Sequence, residues 1–124
     1  MAKSRPKLNR RREQRLENEI LIDSYTPDER AMSWYYYLEG KLRFPFLATC
    51  MKSRAISPFR VGESLSITGL APEDDCLHEI IVMTEWKGRA LGVALAQLTA
   101  SHVDPDTKEG IEDWHYCVAM RYQY

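Results

Sequence analysis

The stretch that most limits what this chain can fold into is residues 25–46, Y-T-P-D-E-R-A-M-S-W-Y-Y-Y-L-E-G-K-L-R-F-P-F. Six of the thirteen aromatic residues lie between Trp34 and Phe46. Thr26 suits an N-cap, Pro27 the first helical position, and Glu29 closes a capping box three residues after the cap. Ala31, Tyr35, Leu38 and Leu42 then recur at helical spacing and form one apolar face. Gly40 and Phe44-Pro45-Phe46 mark the end. The spacing predicts a central helix whose Trp/Tyr cluster packs on whatever follows, because an aromatic helix face is most often core.

A second helix is expected over about residues 11–22, with Leu16 and Ile20 four apart. Residues 47–51 read as a short, half-buried strand. S-L-S-I-T at 64–68 alternates polar and apolar, as a half-buried strand does. Residues 78–86 form the strongest strand signal, and Lys87-Gly88 reads as a tight hairpin turn into residues 89–93. Residues 95–98 suggest one helical turn that closes a barrel. Asp106 with Glu109 reads as a second capping box, opening a C-terminal helix over about residues 107–120. Strands without intervening helices pair antiparallel. The expected fold is therefore α+β: a small antiparallel SH3-like β-barrel with two N-terminal helices and one C-terminal helix.

A chain of 124 residues is enough for one domain with a real core. No apolar run approaches the roughly 20 residues of a membrane helix. The basic N-terminus lacks the apolar core of a signal peptide. Three cysteines, Cys50, Cys76 and Cys117, suit a reduced protein better than a disulfide framework. These features lead to the expectation of a cytoplasmic protein with no membrane partner.

The net charge of −1 conceals a division. Residues 1–15 hold seven basic side chains against Glu13, whereas residues 16–124 hold ten basic and seventeen acidic, a net of −7. Residues 1–14 are expected as a basic, flexible arm and residues 15–124 as a single α+β domain. Such an arm could bind nucleic acid or an acidic protein partner through residues 1–15, with steep salt dependence. It holds no aromatic residue for base stacking, and the acidic body would repel nucleic acid beyond it.

No Gly-x-Ser-x-Gly elbow, phosphate-cradling loop or dinucleotide fingerprint is present, so no catalytic residues are assigned and the chain is expected not to be an enzyme. Cys76-x-His78 and His115-x-Cys117 carry zinc-type ligands. However, residues two apart on a helix point about 200° apart, which splits the second pair. Carboxylates give the richest signal. Glu73, Asp74 and Asp75 share one loop, with Glu79 just beyond; Asp104, Asp106 and Glu109 share another. Hard cations take six to eight oxygens from carboxylates, carbonyls and water. Neither loop is an EF-hand, because Lys108 falls where an oxygen ligand belongs and no Gly takes the sixth place.

The stretch E-R-A-M-S-W-Y-Y-Y-L-E-G-K-L-R-F-P-F, residues 29–46, resembles the bacterial calcium-binding protein family typified by the cyanobacterial calcium-binding protein CcbP. The similarity continues through R-A-I-S-P (54–58), V-G-E (61–63), G-L-A-P-E (69–73) and I-E-D-W-H-Y (111–116), and covers roughly residues 10–116. The resemblance implies a small cytosolic protein that binds calcium through surface carboxylates and serves as a buffer or signalling reservoir. Glu73, Asp74, Asp75 and Glu79 are the ligands it carries over; Asp104, Asp106 and Glu109 are added from charge alone. The family's cyanobacterial member is acidic throughout, whereas here a basic arm offsets an acidic body.

Overall fold

The computed structural model describes residues 7–120. Asn9 caps a first helix, α1 (Arg10–Arg15), by accepting from the Arg12 N–H at 3.1 Å. The chain continues without a break into wider π-type turns over Leu16–Ile20, where Leu16 and Ile20 turn inward. Thr26 accepts from the Glu29 N–H at 3.1 Å and opens the central helix α2 (Pro27–Lys41), which runs one residue past Gly40. On α2, Ala31, Trp34, Tyr35 and Leu38 are buried, and Trp34 and Leu38 are fully enclosed.

Five strands follow: β1 (Phe46–Cys50), β2 (Ser64–Leu70), β3 (Ile81–Trp86), β4 (Arg89–Ala94) and β5 (Leu98–Thr99). They form one antiparallel sheet in the order β4-β3-β2-β1-β5, with a register shift between Ile67 and Gly69 where β2 meets β3. Side chains alternate as the pleat requires. Phe46, Ala48 and Cys50 of β1 and Leu65 and Ile67 of β2 face the core. The β3–β4 turn places Lys87 at φ 52° and Gly88 at φ 77°, the left-handed pair that a two-residue hairpin needs.

The sheet is curled. β4 and β5 lie at opposite edges, about 19 Å apart if five strands lay flat. Only the 3₁₀ turn Leu95–Gln97 joins them, and so short a connection spans at most about 14 Å even when stretched. The edges must therefore bend toward each other into a half-barrel. The last helix, α3 (Pro105–Ala119), packs on α2, with the Trp34 and Trp114 rings edge-to-face at 5.0 Å. Its cap is Asp104, not Asp106. Asp104 accepts from the Thr107 N–H at 3.1 Å, and Pro105 takes the first helical position. Proline there sets the start two residues earlier than the expected capping box, because its fixed φ suits the first turn and it has no N–H to leave unpaired.

Candidate metal centre

The 3₁₀ turn Glu73–Cys76 links β2 and β3 and carries the first acidic group. Cys76 is buried, and its sulfur accepts from the Ile81 N–H at 3.4 Å; this pins the turn and leaves Glu73, Asp74 and Asp75 exposed. Helix α2 holds the turn from outside with two successive tyrosines. The Tyr35 hydroxyl donates to the Ala71 carbonyl at 2.8 Å, and the Tyr36 hydroxyl donates to the Glu73 carboxylate at 2.9 Å. That second bond raises the Tyr36 pKa above its ordinary value. Asp74 and Asp75 form no ion pair among the described residues. Glu79 faces elsewhere: it pairs with Arg54 at 2.9 Å.

The second acidic group is neutralised from within. Lys41, at the end of α2, reaches Glu109 at 2.7 Å and Asp106 at 3.6 Å. Hydrogen bonding to Glu109 raises the Lys41 pKa, so the ammonium stays charged. Arg43 lies 3.7 Å from Asp104 and 3.6 Å from Asp106, and Arg15 lies 3.9 Å from Glu109. Asp104 is further committed to the Thr107 hydroxyl and N–H, and these bonds lower its pKa.

Next to this group sits Asp113, which is only 2% exposed. It accepts from Arg12 at 2.6 Å, from Arg15 twice at 2.9 Å, and from the Tyr37 hydroxyl at 2.7 Å. Both guanidiniums belong to the basic N-terminal segment, so part of its charge is spent inside the fold. The hydrogen bond to Asp113 raises the Arg15 pKa; burial, reinforced by the Asp113 bond, raises that of Tyr37. Among residues 7–15, Lys7, Arg10 and Arg11 remain exposed.

Among the described residues, no group of three or more His, Cys, Asp or Glu side chains is disposed to hold a metal ion. The two acidic loops are therefore not joined into a cage. Cys76 turns inward while His78 stays exposed. The His115 ring lies 3.3 Å from the Leu95 carbonyl, and burial lowers its pKa. Burial also pushes the Cys117 thiol up to about 12.

One acidic set escaped the sequence reading. Asp23, Asp28 and Glu29 line a cleft of about 430 Å³ with Ser33 and Tyr36. Tyr36 is thus shared between this cleft and Glu73. Asp23 adopts a left-handed backbone (φ 56°), a conformation that Asp tolerates better than most residues. In sequence these carboxylates pass for a helix breaker and a helix first turn; only the fold sets them beside the turn at 73–76. Exposed carboxylate and carbonyl oxygens, with water, are the donor set that calcium prefers.

A family model described as "Calcium binding" matches residues 14–118. The crystal structure of Anabaena CcbP matches with a TM-score of 0.85 and 35% identity, over 96% of this chain and 98% of that one. A structure described as "Calcium binding protein in the calcium-binding form" matches with a TM-score of 0.83 and 35% identity, over 94% and 95%. No curated protein matches the chain. The chain belongs to the CcbP calcium-binding family.

Proposed function

We propose that this protein is a non-enzymatic calcium-binding protein, a buffer or signalling reservoir, that takes the ion on surface carboxylates of its acidic 3₁₀ turn. One observation carries the choice of site. Asp104, Asp106 and Glu109 already face Lys41, Arg43 and Arg15, whereas Asp74 and Asp75 form no ion pair among the described residues. A calcium ion at the second group would have to displace an ammonium or guanidinium; at the first it would compete only with the Tyr36 hydroxyl on Glu73. Glu73, Asp74 and Asp75 supply the charge, with Glu79 in reach only if it leaves Arg54. The cleft carboxylates Asp23, Asp28 and Glu29 extend the acidic surface past Tyr36. Water fills the remaining coordination positions, and calcium's tolerance of irregular geometry makes this workable. Without a preformed cage, affinity falls at roughly 10⁻⁶–10⁻³ M, the range of sensors and weaker modules. The curled sheet, with its edge-joining 3₁₀ turn, supports reading the half-barrel as SH3-like.

The test is a calorimetric titration of the metal-free full chain with calcium, with magnesium as control. The double variant Asp74→Asn/Asp75→Asn should bind at least about tenfold more weakly, because affinity follows ligand charge. The variant Asp106→Asn/Glu109→Gln should bind as the parent does. The reverse pattern would move the site to the α3 end.

A further inference from the structure

One end of the sheet differs in chemistry from the two acidic groups. The β1–β2 connection, residues 51–63, has three cations in its first eleven positions, Lys52, Arg54 and Arg60, and no carboxylate until Glu63. Arg54 is occupied by Glu79, and the Glu63 carboxylate accepts the Arg60 N–H at 2.6 Å. The Lys52 and Arg60 side chains are exposed and form no ion pair among the described residues. Between them the chain turns sharply: the Ser57 N–H reaches the Arg54 carbonyl at 3.1 Å and lifts Ile56 to the apex.

Ile56 is 89% exposed, the most exposed of the large apolar side chains among the described residues. Val61 and Met51 stand near the base at 64% and 44%; the backbone there is tied by Cys50 N–H to Glu63 O and Gly62 N–H to Cys50 O, both at 2.8 Å. The loop is braced. Phe59 is buried against Trp86, with ring centroids 6.3 Å apart. Lys87 Nζ sits 4.7 Å from the Trp86 ring centroid and adds another cation at the same end.

We propose that this loop is a contact for an anionic lipid surface, with Ile56 entering the interfacial region and Lys52, Arg60 and Lys87 facing lipid phosphates. Charge and shape choose the occupant. Cations around an exposed aliphatic tip match an interface that is apolar below and negative above. The apex projects outward at a turn instead of lining a groove, so a flat partner reaches it where a peptide would lack walls. The acidic body, repelled by the same lipids, orients the molecule with this end down.

The test is flotation of the full chain with phosphatidylcholine vesicles, with and without phosphatidylglycerol, in the presence of a chelator. The parent should float only with the anionic vesicles at about 0.1 M salt and much less at about 0.5 M. Ile56→Glu should abolish flotation while leaving the melting temperature unchanged, since the side chain touches no core. Lys52→Glu/Arg60→Glu should do the same, and Lys7→Gln/Arg10→Gln/Arg11→Gln should float nearly as the parent does. Failure of the parent to float overturns the proposal. So does flotation that survives Ile56→Glu but is lost with the Lys7/Arg10/Arg11 variant, which would assign the contact to the N-terminal segment. A shift in sedimentation coefficient with Ile56→Glu, without parent flotation, would make the loop a contact between copies of this chain.

Discussion

Asp113 shows how much a single residue decides. It is buried on α3, and four donor groups from the first helical segment and α2 converge on it. A buried carboxylate is tolerable only when its lone pairs are filled and its charge is matched. Removing one partner leaves the others stranded, although Arg12 and Arg15 keep about a fifth of their surface in water and recover some solvation. Asp113→Asn should lower the unfolding free energy by about 2–4 kcal/mol in a urea titration, at the lower side of what breaking a fully buried pair costs. A loss under about 0.5 kcal/mol would mean the pairing behaves as an ordinary surface bridge. Sequence reading could not find this residue. Its partners lie 76, 98 and 101 positions away, and no local pattern distinguishes Asp113 from the exposed Glu112 beside it. For the same reason the carboxylates at 104–109 looked free in the sequence and prove to be occupied.

At the scale of elements, local chemistry was readable wherever it was self-contained. Thr26-Pro27 followed by Glu29 fixed the start of α2, and Lys87-Gly88 fixed the hairpin. The cap of α3 came out two residues off because Asp104 and Asp106 are chemically equivalent, and only the position of Pro105 separates them. The π-type turns at Leu16–Ile20 leave no signature either, since widening a helix changes its hydrogen bonds and not its composition. The α2–α3 contact depends on Gly110, which sequence alone would count as a weak spot in a helix. A Cβ there would stand 3.2 Å from Lys41 Cβ and 3.3 Å from a methyl of each of Leu38 and Leu42. Helix propensity favours alanine by about 1 kcal/mol. Three neighbours on one face, one of them a Cβ fixed to its backbone, oppose it by forcing the helices apart. Gly110→Ala should therefore destabilise by about 0.5–2 kcal/mol net, and a rise in stability would show that the two helices separate at little cost.

For the whole molecule, charge placement decides how the protein meets an ion. The acidic body carries a net −7 over residues 16–124, and the basic segment brings the total to −1. Calcium approaching the site proposed above, the turn at 73–76, feels both. Arg12 and Arg15 already neutralise Asp113, so their field is largely spent locally; the other positive charge of the N-terminal segment lowers the long-range attraction for a cation. In the variant Lys3→Gln/Arg5→Gln/Lys7→Gln the net charge falls from −1 to −4. Long-range attraction for a divalent cation should then rise, and calcium affinity measured by calorimetry at about 0.01 M salt should increase roughly two- to fivefold. The gain should vanish at about 0.5 M salt, where charges separated by more than a few ångströms no longer interact appreciably. An affinity gain that persisted at high salt would mean the basic segment competes for the carboxylates by direct contact. No gain at either salt would leave the local geometry of the acidic turn as what sets the affinity.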